Sequence, residues 1–120
     1  MNPELIKQIE EVRQSSSTPG WDGYGAEPVR QEAVAQARRF LKVLPEQLHF
    51  PSLGAEADGC VTLEWYASPD WVLSVSVSAD GQLVYAALFG GRKKSGTCVL
   101  GDAIPSTIGD LIKEFCSKDD

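Results

Sequence analysis

The chain has 120 residues, of which 42% are hydrophobic and 23% charged, and its formal net charge is −6. This length suits one domain, and the hydrophobic fraction is sufficient for a core without metal or disulfide support. We therefore expect a single α+β domain over residues 1–120. The acidic balance disfavours nucleic acid and anionic membranes as partners, because both require a positive surface. It suits a basic protein partner.

Cysteine usage and the N-terminus predict a cytoplasmic chain. Cys60, Cys98 and Cys116 are odd in number, far apart in sequence and without zinc-ligand spacing. We expect three reduced thiols, no metal and no cofactor. The N-terminus lacks a basic region followed by an apolar run, and no stretch approaches the roughly 20 apolar residues of a membrane span. We therefore expect neither secretion nor membrane insertion.

The first half of the chain reads as two helices and two loops. Residues 3–14 and 29–44 carry apolar positions at helical spacing, and Pro45 ends the second stretch. Residues 21–28, between them, have no period and contain two glycines, which predicts a tight, ordered turn. Residues 45–58 read as a loop with a short extended piece at 48–50. The two apolar stripes are Leu5, Ile6, Ile9 and Val12, and Ala33, Ala37, Phe40, Leu41 and Leu44.

In the second half the period changes from 3.6 to 2, which predicts strands. The alternation covers residues 60–66, 71–78, 83–89 and 95–100, and Asp80-Gly81 is a strong hairpin signal between the second and third. A last helix is predicted over residues 105–116. Its apolar stripe is Ile108, Leu111, Ile112 and Phe115.

The predicted order is therefore α-α-β-β-β-β-α. Consecutive strands with short connections form an antiparallel meander. One face of this four-stranded sheet is apolar and the helices carry matching stripes, so all helices should pack on that face.

The segment from Trp21 to Pro28 is the first candidate binding element. As a recognition loop it would present Tyr24 and Glu27 to a partner. As an anchor it would bury Trp21 while Asp22 accepts hydrogen bonds from nearby backbone amides. We favour the anchor.

The second candidate is the polar face of the sheet. Such a face is usually just solvated. The third predicted strand, however, is apolar on both faces, so a loop, the chain end or another subunit should cover its second face. The residues expected there are Thr62, Glu64, Tyr66, Ser74, Ser76 and Ser78, with Val84, Ala86 and Leu88 from the third strand.

The third candidate is the predicted basic turn Arg92-Lys93-Lys94, which could hold a phosphate or an acidic partner. Charged turns are more often only solvated. We find no catalytic motif in the sequence, and the one histidine, His49, lies in the loop between prolines. An enzyme would have to combine Asp22, Glu27, Glu64 or His49 in an unfamiliar arrangement.

Residues 20–29, Gly-Trp-Asp-Gly-Tyr-Gly-Ala-Glu-Pro-Val, resemble a segment of a family of small bacterial proteins with no assigned activity. Leu63-Glu64-Trp65-Tyr66 and the run from Leu73 to Ala86 extend the resemblance, which covers residues 20–90. Members of that family are often carried on accessory or mobile genes. The resemblance implies one bacterial cytoplasmic domain and transfers no catalytic residue.

Together these observations favour a non-enzymatic protein-binding module, antitoxin-like or immunity-like, that meets a protein partner or a second copy through the outer sheet face. The alternative is a small-ligand-binding domain with a pocket between the sheet and the Trp21–Pro28 segment. An enzyme is the third possibility.

Overall fold

The computed structural model describes residues 3–44 and 49–117. It confirms the α+β class and the antiparallel sheet, with three helices and five strands in the described residues. These elements are α1 (Pro3–Ser15), α2 (Gln31–Val43), β1 (Ser52–Ala55), β2 (Val61–Ser68), β3 (Trp71–Val77), β4 (Gln82–Phe89), β5 (Arg92–Val99) and α3 (Ser106–Cys116).

The five strands form one meander in the order β1-β2-β3-β4-β5, each antiparallel to its neighbours. Asp80-Gly81 does lie between β3 and β4. Gly81 has a φ of 83°, and Gly90, between β4 and β5, has a φ of 69°. Both values favour glycine, which explains why these two connections contain it.

The expectation of four strands is wrong, because the region predicted as a loop over residues 45–58 contains β1. Ser52 pairs with Glu64 and Ala55 with Val61, so β1 extends the sheet beside β2. The extended piece expected at residues 48–50 is displaced: Leu48 lies outside the described residues, and His49 and Phe50 have no regular structure. A four-residue strand is too short to show alternation in the sequence.

The core lies between the helices and one face of the sheet, with the predicted register. Trp65, Leu73, Val75 and Val77 from the sheet are at most 1% exposed, and Phe40 and Ile108 from the helices are fully buried. Ile6 departs from the predicted α1 stripe: its side chain is 48% exposed, while Leu5, Ile9 and Val12 are buried.

Helix α3 is fixed to the sheet by an indole hydrogen bond. Trp71 Nε1, at the start of β3, donates to the carbonyl oxygen of Phe115 at 3.0 Å. The Trp71 and Phe89 rings also contact each other, with centroids 4.9 Å apart. Among residues 3–44 and 49–117, no helix is long and apolar enough to cross a membrane.

Candidate functional site

The sheet surface turned away from the helices, here called the outer face, presents alternate side chains of β2 to β5. The strand register arranges these side chains in rows that run across the four strands. The rows are Tyr66–Val72–Leu88–Lys93, Glu64–Ser74–Ala86–Ser95 and Thr62–Ser76–Val84–Thr97.

An apolar strip, formed by Val72 of β3 and by Val84, Ala86 and Leu88 of β4, runs along the middle of the outer face, with Tyr66 of β2 beside it. Val84 is 48% and Tyr66 59% exposed, and Val72 and Leu88 are half-buried. A shallow depression of about 270 Å³ lies in this strip, with Val72, Ala86 and Leu88 in its lining. The doubly apolar character expected of the third predicted strand is therefore confirmed in β4.

The described part of the chain leaves this strip open. The three helices contribute their buried side chains to the opposite face of the sheet. Residues 52–55 belong to the loop that is one of the three candidates for covering the strip, but they lengthen the sheet as β1 instead. From the turn after β1, the Glu56 carboxylate reaches the outer face and accepts a hydrogen bond from the Ser76 hydroxyl.

Charge at the margins of the outer face is of opposite sign. Glu64 lies on β2 and Lys93 on β5, in adjacent rows, and both side chains are exposed. Between them the two central strands carry only aliphatic and hydroxyl side chains in these rows. The face thus has an apolar centre, an acidic margin and a basic margin.

The Trp21–Pro28 segment is an anchor in its hydrogen bonding, as predicted. Asp22 Oδ1 accepts the amides of Tyr24 at 2.8 Å and Ala26 at 3.1 Å, and Trp21 Nε1 donates to the carbonyl oxygen of Glu27 at 2.8 Å. Trp21 is only half-buried, however, because its ring borders a cleft. Tyr24 is 93% exposed, so it makes little contribution to packing.

A cleft of about 390 Å³ lies where the alternative hypothesis expected a pocket, between the edge of the sheet and this segment. Its lining includes Gln8, Glu11, Trp21 and Leu53. Gln8 Oε1 accepts the amide of Leu53 at 2.9 Å and so satisfies an outward-facing amide of the edge strand β1. The contributions of α1 and β1 to this cleft were missed, because β1 itself was not recognised.

The predicted basic turn is wrong, because Arg92, Lys93 and Lys94 form the start of β5. The connection between β4 and β5 is Gly90-Gly91 alone. Arg92 forms an ion pair with Glu114 of α3, and Lys94 Nζ lies 3.1 Å from Glu114 Oε1. These cations lower the pKa of the Glu114 carboxyl, with the hydrogen bond from Lys94 contributing most. Lys93 lies between Arg92 and Lys94 in the strand, so its side chain points to the opposite side of the sheet, which is the outer face.

The turn between β1 and β2 places Glu56, Asp58 and Cys60 together, with their ligand atoms within 4.8 Å of one another. Burial, which contributes most, and the neighbouring Asp58 and Glu56 carboxylates together raise the pKa of the Cys60 thiol to about 11. The thiol is therefore protonated at neutral pH. Asp58 Oδ1 accepts the Cys60 amide at 3.0 Å. These internal contacts account for the cluster, and the expectation that the chain holds no metal stays a prediction.

The residues considered for catalysis do not form one site. His49 packs edge-on against Phe115, with ring centroids 6.1 Å apart, and so lies on the helix side of the sheet. Glu64 projects from the outer face, and the Asp22 side chain is held within its own turn. Cys60, expected within a strand, lies just before β2, whereas Cys98 and Cys116 lie in β5 and at the end of α3 as predicted.

Comparisons with protein-family models, curated proteins and solved structures found no match to this chain. The resemblance of residues 20–29 to a bacterial family therefore stays an expectation.

Proposed function

We propose that the chain is a non-catalytic protein-binding module and that the outer face is its binding surface. The observation that carries this proposal is the open apolar strip of β3 and β4 beside polar and charged margins. Apolar patches with polar rims mark association sites, because covering them removes apolar area from water while the rim keeps its hydration.

The surroundings of the strip support a protein partner over a small molecule. The depression on the outer face is shallow, whereas small-ligand sites are concave and enclose most of the ligand. A flat surface four strands wide suits another flat surface. A role in the bacterial cytoplasm as an accessory protein that neutralises or modulates another protein is consistent with this surface.

A photo-crosslinking amino acid tests the proposal. It replaces Val84 on the outer face or, as a control, Ile6 on α1, because both side chains are 48% exposed. In the native cell, the probe at position 84 should give one protein adduct of defined mass, which disappears when Leu88→Glu is added. The probe at position 6 should not. Adducts of equal yield at both positions, or none at position 84, would refute binding through the outer face.

The cleft beside Trp21 supports a second candidate function, the binding of a small ligand. Its volume of about 390 Å³ lies within the range of ligand pockets, and an indole ring and a carboxylate, Glu11, line it. Trp21 fluorescence reports on this cleft. A ligand library screened by that signal, with Trp21→Phe as the control, should give no saturable response if the outer face is the functional surface.

A further inference from the structure

We infer that the occupant of the outer face is a second copy of this chain, packed face to face about a two-fold axis parallel to the strands and midway between β3 and β4. This inference rests on the proposed function and identifies the partner. It depends on where the register places the charged and apolar side chains.

A two-fold axis in this position superimposes β2 of one copy on β5 of the other, and β3 on β4. Each row of one copy then faces the same row of its partner in reverse order. In the first row, Leu88 lies opposite Val72 of the second copy, and Lys93 lies opposite Tyr66. The apolar centres meet each other, and each lysine lies over an aromatic ring, which is a favourable cation–π arrangement.

The same axis brings the opposite charges together. Glu64 lies in the row next to Tyr66 on β2, about 7 Å further along the strand. Lys93 of one copy therefore reaches Glu64 of the other, and the symmetry creates this pair twice. A two-fold axis perpendicular to the strands would instead place β5 of one copy on β5 of the other. The Lys93 side chains of both copies would then lie between the same two facing strands, without Glu64 on either strand. Charge complementarity thus selects the first axis.

The outer face is large enough for an interface between two copies. Strands β2, β4 and β5 have eight residues each and β3 has seven. With strands about 4.8 Å apart and about 3.4 Å per residue, the four strands present roughly 500 Å² of surface on each copy. Two copies would then bury about 1,000 Å², which is the level that a biological interface should reach and corresponds to a weak, reversible dimer. Two antiparallel sheets packed in this way form an aligned sandwich in which the two sheets lie about 10 Å apart.

Charge reversal gives a direct test, with mass measured by light scattering after size-exclusion chromatography. The wild type should be dimeric. Lys93→Glu places a glutamate opposite Glu64 of the second copy at both symmetry-related pairs, and Glu64→Lys creates the reverse repulsion, so each variant alone should dissociate with a Kd raised about tenfold or more. An equimolar mixture of the two variants regains both opposite-charge pairs and should dimerise again.

The double variant Lys93→Glu/Glu64→Lys should also dimerise. This result would show that the single variants lose the dimer through charge repulsion and not through misfolding. A wild type that stays monomeric up to about 1 mM would overturn the inference, since a Kd above that level corresponds to very weak binding. A dimer that ignores the reversals, or a mixture that stays monomeric, would overturn this geometry. In either case a Val84-specific adduct with a different protein would leave the proposed function standing.

Discussion

The Tyr85 ring of β4 lies directly across Gly96 of β5, on the core side of the sheet. A Cβ atom added at Gly96 would stand 2.5 Å from Tyr85 Oη and 2.8 Å from its Cζ. The two residues are a cross-strand pair, so the glycine provides the space that the ring fills.

Gly96→Ala should therefore destabilise the protein by about 1–3 kcal/mol, because the ring has to leave a packed position. Gly54→Ala is the matched control, since a Cβ at this strand glycine meets no atom within 4 Å. Urea unfolding measures both. Equal free energies of unfolding for the two variants would show that Tyr85 does not need the space at Gly96.

Asp22→Ala should lower the free energy of unfolding by about 1–3 kcal/mol, because the amides of Tyr24 and Ala26 lose their acceptor. Tyr24→Ala, which removes a side chain that is 93% exposed, should leave stability nearly unchanged. Thermal unfolding of both variants distinguishes the roles. If Tyr24→Ala is the more damaging change, the anchor interpretation is wrong.

The pattern of hydrophobic residues was enough to predict the helices, four of the strands and the core. Leu73, Val75 and Val77 alternate with Ser74 and Ser76, and this alternation sets which face is buried because the side-chain period of a strand is 2. Strand β1 could not be predicted, since its stability depends on pairing with β2 and on Gln8 from a distant helix.

Local composition also gave a wrong prediction at residues 92–94, where ion pairs with a residue distant in sequence favour a strand over a turn. Arg92-Lys93-Lys94 after two glycines is typical of a solvated turn. Glu114, 20 residues beyond Lys94, pairs with two of these cations and holds them in β5. The outer face was predicted from the double apolar character of β4, but its opposite-charge margins became visible only when the register placed Glu64 and Lys93 in adjacent rows.

Glu114 should contribute stability that depends on pH. Its pKa is lowered in the folded state, so its contribution is present above the unfolded pKa of about 4.5 and is lost as pH falls through the folded value. Glu114→Gln should therefore show a smaller drop in melting temperature on acidification below about pH 5 than the wild type. Asp102→Asn, at an exposed loop carboxylate, is the control. A drop as large as that of the wild type in Glu114→Gln would contradict the assignment.

Cys60 should be a poor nucleophile. With its pKa raised to about 11, the folded chain at pH 8.5 should have about 100-fold less Cys60 thiolate than the unfolded chain. Alkylation by iodoacetamide, read by peptide mass spectrometry with and without urea, measures this difference. Because the raised pKa favours the protonated folded state, stability should fall as pH rises from about 9 to about 11, and Cys60→Ser should flatten that fall. Equal alkylation rates in the folded and unfolded chain would contradict the environment assigned to Cys60.

The central claim, that a protein covers the outer face, is tested most directly by cysteine footprinting in the native cell. Val84→Cys and Ile6→Cys place a thiol at two sites of equal exposure, 48% in each case, on the outer face and on α1. Maleimide modification is measured by peptide mass spectrometry in the cell and on purified protein diluted until light scattering finds only the monomer. Position 84 should be modified several-fold more slowly in the cell than in dilute solution, while position 6 should react at the same rate in both. Equal rates in the cell and in dilute solution at position 84 would contradict the claim.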